Sequence, residues 1–207
     1  MNDGYEEVLR AIASSEPTPG GGSVAALSLA HAQSLSIMVA RLTLGKEKWA
    51  DGHVLAESII SKWEPKIDSS IGLAVKDAQA FDQVMGAYRL PKKDEKEMEL
   101  RNYSIREATI GAALAPLETA KESLELLRDI EKFIDLCNSN ALTDLASAAE
   151  LSGSAIVIAS MNVRINLDYI EGDDVNELSN QLEEILGAHT SLLEMIRSKV
   201  SERLDWK

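Results

Sequence analysis

The chain has 207 residues, 45% of them hydrophobic and 4% aromatic, with 34 Asp and Glu against 21 Lys and Arg. That content can bury a substantial core and excludes a disordered or fibrous chain. The formal net charge of −13 repels phosphate backbones and anionic bilayers, so neither nucleic acid nor membrane is expected as a partner. A single cysteine, Cys137, forms no internal disulfide and no Cys-based zinc site, which points to a reducing, cytoplasmic setting. Scarce aromatics with abundant Ala, Leu, Ser and Glu favour packed helices over β-sandwiches.

The first ten residues carry Asp3, Glu6 and Glu7 where an export signal needs a basic and then an apolar stretch, so none is expected. Tyr5, Val8, Leu9 and Ile12 predict a short amphipathic helix that ends at Pro17-Thr18-Pro19-Gly20-Gly21-Gly22. The uncharged run after it predicts a helix from Ser23 to about Leu44. Its serines, His31 and Gln33 mark it as a buried core helix rather than a membrane span. After a turn at Gly45 to Lys48, a long helical segment runs from about Asp51 to Tyr88, kinked at Pro65. Within it, Ile67, Ile71, Ala74, Ala78, Phe81, Met85 and Tyr88 share a face. Leu90-Pro91 stops that segment, and the charged residues 92–99 read as a solvated loop and helix start. A further helix from about Glu95 to Leu136 is expected to bend or break at Pro116. Asn138, Ser139 and Asn140 supply caps for a helix from about Ala141 to Tyr169, which Gly172 closes. The last helix, from about Val175 to Leu204, repeats Leu178, Leu182, Ile185, His189, Leu192 and Ile196 at heptad-like spacing. The whole, residues 1–207, reads as an all-α, single-domain bundle of about six mostly antiparallel helices.

Several residues are candidates for chemistry. Three consecutive glycines let backbone approach a ligand, and the helix behind them turns its free N–H groups and positive dipole end outward; an ordinary flexible connection explains them too. The segment does not follow a strand, so a dinucleotide fingerprint is excluded. Asp77 has Leu73, Ala74, Ala80 and Phe81 as its three- and four-residue neighbours. On such a face burial raises a carboxylate's pKa and suits it to proton transfer, unless the group reaches water or pairs with a cation. Asp144 falls in a first helical turn, where the helix dipole already favours an acid. Arg164 lies between Val163 and Ile165 and either pairs with Asp168 or binds a substrate carboxylate or carbonyl. Lys46 and Lys48 either solubilise a turn or attract an anionic ligand. His31, His53 and His189 stand apart, so no metal site is expected.

Four segments in order carry a resemblance. They are Pro17-Thr18-Pro19-Gly20-Gly21-Gly22-Ser23-Val24-Ala25-Ala26; Leu42-Thr43-Leu44-Gly45-Lys46; Asp77-Ala78-Gln79-Ala80-Phe81 with Leu90-Pro91-Lys92; and Asn162-Val163-Arg164-Ile165-Asn166-Leu167. Together they resemble the formiminotetrahydrofolate cyclodeaminase and methenyltetrahydrofolate cyclohydrolase family over nearly the whole chain. The resemblance implies an all-helical homodimer acting on a tetrahydrofolate derivative without metal or separate cofactor. It implies Asp77 as the catalytic aspartate, with Gly20, Gly21, Gly22 and Ser23 lining the folate site. Asp144 falls in a segment similar to a Ser-Asp element of that family, with Thr143 in place of Ser, and Arg164 and Asn166 fall in a shared string. Either releasing ammonia from a formimino group or adding water to a methenyl bridge fits this reading. A non-catalytic folate-binding or scaffold protein of the same fold is the alternative.

Overall fold

The computed structural model describes residues 3–206, among which helices and turns occur and no strand. Seven α-helices succeed one another: α1 Asp3–Ile12, α2 Gly21–Leu44, α3 His53–Trp63, α4 Ile67–Tyr88, α5 Glu95–Phe133, α6 Leu142–Leu167 and α7 Asp173–Arg203. The all-α architecture is the expected one. Neighbours are mostly antiparallel: the start of α2 meets the end of α6 at Gly21 and Asn162, and its end meets the entry to α6 where Asn138 N–H donates to Thr43 Oγ1. α5 and α7 run alongside each other in the same direction, tied by Arg106 to Asp174 near one end and Lys199 to Glu131 near the other.

The centre of the bundle is α2, in contact with α3, α4, α5 and α6. Ala25, Ala26, Ala32 and Ala40 are fully buried on it, and facing Ala148, Ala149 and Ala155 of α6 let the two backbones approach closely. Both α2 and the stretch containing α6 are long and apolar enough to cross a membrane by length and composition, but 61% and 50% of those windows are buried inside the bundle. The hydroxyls of a core helix need partners, and apart from Ser23 those of α2 find them within the helix itself. Ser28, Ser34, Ser36 and Thr43 donate to the carbonyls of Val24, Ala30, Ala32 and Val39, four residues back.

Three boundaries depart from the sequence expectation. Pro65 divides the Asp51–Tyr88 segment rather than kinking it: a single 3₁₀ turn, Glu64–Lys66, separates α3 from α4. That junction is fixed by Trp63, which is fully buried and donates Nε1–H to Asp129 Oδ2 at 2.9 Å, with Lys62 and Lys66 above its ring. Pro116, by contrast, neither ends nor interrupts α5, which continues through it as one helix of 39 residues. Gly172 does not close α6, which ends at Leu167; it opens α7 as N-cap at φ +145°, where an L side chain would be strained. The start of α5 shows a reciprocal cap that the charge run conceals. Asp94 accepts from Glu97 N–H, and the Glu97 side chain accepts from Lys93 N–H.

Candidate active site

Gly20 is the N-cap residue of α2, with extended backbone and no side chain to satisfy the first N–H groups. Asp77, from the middle of α4, fills that role. Its Oδ1 lies 2.1 Å from where a Cβ on Gly22 would stand, and its Oδ2 is 3.0 Å from Ser23 Oγ. The same Ser23 hydroxyl is 3.0 Å from Ala74 O, one helical turn earlier on α4. The glycine at position 22 is therefore a requirement of contact: only a residue without Cβ admits the carboxylate. Burial pushes the Asp77 carboxyl above the ordinary aspartate range, while the Ser23 hydroxyl and backbone N–H pull in the opposite direction and do not cancel it. A half-buried acid at a helix N-terminus, with its pKa moved toward neutrality, is suited to taking and returning a proton.

A second polar chain leads to the same helix end. Asn162 on α6 places Nδ2 3.3 Å from a Cβ position on Gly21 and donates to Ile158 O. One turn on, Asn166 Nδ2 donates to Asn162 O at 2.8 Å and to Ala112 O at 3.2 Å. Ala112 is four residues before Pro116, which has no N–H to give its carbonyl. Asn166 thus replaces the donor that the proline removes, and in the folded chain it braces α5 against α6. Asn166→Ala is expected to destabilise the protein by about 1–2 kcal/mol through the unpaired carbonyl. In a Pro116→Ala background, where residue 116 regains its N–H, the cost should shrink; a double-mutant cycle of denaturant midpoints reads the coupling.

The structure brings together Gly20, Gly21, Gly22, Ser23 and Asp77, and adds Asn162, which belongs to the shared string but is not among the site residues expected from it. Lys46 lies beyond the opposite end of α2, about 36 Å from the glycines at 1.5 Å per residue, and Asp144 sits at that same end, in the first turn of α6. Within one chain they do not join the Asp77 cluster. Arg164 is exposed and pairs with Glu183 of α7 at 2.8 Å, instead of lying buried against Asp168. Among the described residues no three His, Cys, Asp or Glu side chains converge as metal ligands do.

An all-helical bundle that seats a half-buried aspartate on the glycine-rich N-terminus of its central helix defines the class by its architecture and by this one polar cluster. The chain belongs to the formiminotransferase-cyclodeaminase family, whose sequence model matches residues 4–184. It is 32% identical to the methenyltetrahydrofolate cyclohydrolase of Methylorubrum extorquens, over 97% of this chain and 99% of that protein. It is 28% identical to the formimidoyltransferase-cyclodeaminase of Rattus norvegicus, over 82% of this chain but 31% of that longer protein. The crystal structure of a formiminotetrahydrofolate cyclodeaminase from Thermotoga maritima superposes with a TM-score of 0.85 at 28% identity, covering 96% of each chain.

Proposed function

We propose that the chain converts the one-carbon unit carried between N5 and N10 of tetrahydrofolate, with Asp77 as the proton-transferring group. It is an enzyme of folate one-carbon chemistry: the relative matched end to end is named a cyclohydrolase, and the solved structure a cyclodeaminase. The observation that carries the assignment to Asp77 is its carboxylate, desolvated and seated on Gly22 at the α2 N-terminus.

In hydrolysis of a methenyl bridge, the substrate carries a positive charge shared by the two nitrogens, and an ionised Asp77 beside it lowers the energy of that bound cation. Water adds to the bridge carbon while Asp77 takes its proton. The tetrahedral centre then collapses: one C–N bond breaks as Asp77 returns the proton to the released nitrogen, and the added hydroxyl gives up its remaining proton to solvent as the formyl C=O forms. In the ammonia-releasing direction, N10 attacks the formimino carbon, its proton is taken up, and protonation of the departing nitrogen expels ammonia. The residues required are the same. An assay of purified protein on methenyl- and on formimino-tetrahydrofolate, following absorbance and released ammonia, decides between them. Hydrolysis without ammonia release is the expected result, because of the two relatives matched over nearly their whole length the one with the higher identity, 32% against 28%, is named a cyclohydrolase. No turnover of either substrate would remove the enzymatic reading and favour a scaffold.

We also propose that the protein works as a homodimer. Val157, Met161 and Ile165 recur every four residues on α6 and are 43%, 55% and 57% exposed, an apolar stripe beside the start of α2 that a second copy would cover. Sedimentation should give twice the chain mass of 22.5 kDa, and Met161→Glu should return it to the single value.

A further inference from the structure

A groove of about 420 Å³ lies between α4 and α5, within the size range of ligand sites. Its polar lining is Lys76, Gln79 and Gln83 from α4, and Glu118 and Lys121 from α5, over an apolar floor that includes Leu73 and Ala115. The two lysines differ from their neighbours. Lys62, Lys66 and Lys199 are each held by carboxylates, whereas among the described residues neither Lys76 nor Lys121 forms an ion pair. On a chain of net charge −13, two free cations converging on one groove with two amide side chains, opposed by a single carboxylate, form a local site for an anionic group. Its position relative to Asp77 matters as much. Lys76 immediately precedes Asp77, and one residue turns about 100° around a helix, so α4 presents Asp77 to α2 and Lys76 to α5 at the same level.

We propose that this groove binds the glutamate carboxylates of the folate tail, with Lys76 and Lys121 as the charged contacts and Gln79 and Gln83 as amide donors. The proposal rests on the reading of Asp77 as the centre of reaction. In a tetrahydrofolate the reacting N10 and the first tail carboxylates are separated by one benzamide unit, a span comparable to the passage from one face of a helix to the next. Lys46, which sequence proximity suggests for this task, is at the far end of α2.

The test uses the full chain and a probe without a pterin, p-aminobenzoyl-triglutamate, titrated by calorimetry. Wild-type protein should bind it, more weakly as salt rises. Lys76→Gln/Lys121→Gln should raise its Kd about tenfold, and Lys121→Arg should restore part of the loss. Asp77→Asn should leave the Kd unchanged. Circular dichroism of each variant guards against unfolding, and Lys132→Gln, outside the groove, serves as the charge control. No wild-type binding, a change under about twofold in the double variant, or an equal loss in Lys132→Gln would overturn the proposal. Loss of tail affinity in the lysine variants together with normal turnover of Asp77→Asn would instead remove the assignment of Asp77 and leave the groove standing.

Discussion

Asp77→Asn is expected to lower turnover by roughly 10²-fold or more, the range for loss of a general base, while the fold persists at equal or greater stability at neutral pH. Burial lifts the Asp77 pKa in the folded chain above its unfolded value. The folded state therefore prefers the protonated acid, and that preference is fully present below the unfolded pKa and lost as pH rises through the folded one. Asparagine keeps the neutral form at every pH. Thermal midpoints of variant and wild type should converge in acid and separate, with the variant the higher, above the folded pKa. The activity of the wild type should run oppositely, rising with pH as Asp77 ionises, in a limb starting above the usual aspartate range. Near-normal turnover of the variant, with folding confirmed by circular dichroism, would remove Asp77 from the mechanism.

Gly22→Ala should be nearly as damaging, although alanine is the better helix residue. The added Cβ would stand 2.1 Å from Asp77 Oδ1 and 2.6 Å from its Cγ, so the carboxylate must move by an ångström or more. Displacement of that size costs about 10²-fold in rate when the group is catalytic. Gly20→Ala supplies the contrast, since the nearest atom to its Cβ position is Pro17 O at 3.4 Å. Steady-state kinetics should show kcat/KM collapsing for Gly22→Ala and changing little for Gly20→Ala. Equal effects at both positions would mean that the glycines act through backbone freedom and not through room for Asp77.

The Asp77 cluster is legible in the sequence because its signals are local. Apolar residues three and four positions away mark a buried carboxylate, and three glycines before an uncharged run mark a helix end open to close approach. Lys46 is near the glycines only along the chain: α2, a helix of 24 residues, holds its two flanking loops a full helix length apart. Arg164 shows a different limit. Its apolar neighbours suggest burial, yet Ile165 is itself 57% exposed, so the apolar run continues onto an outer face. Asn166 stands out through its family string, but its partner, the Ala112 carbonyl deprived by Pro116, lies 54 residues away, and no local pattern connects them. Asn162 opens that same string, and it too is an amide, one turn before Asn166 on the face turned toward Gly21.

The inward-turned hydroxyls of α2 bear on how such a chain drifts through evolution. A serine whose hydroxyl is bonded to its own helix presents its neighbours with a surface scarcely different from alanine's. An exchange between the two would therefore leave helix spacing untouched while lowering sequence identity. A central helix written in such interchangeable letters keeps its geometry long after its spelling has changed, in keeping with a backbone that superposes at a TM-score of 0.85 where 28% of residues are identical.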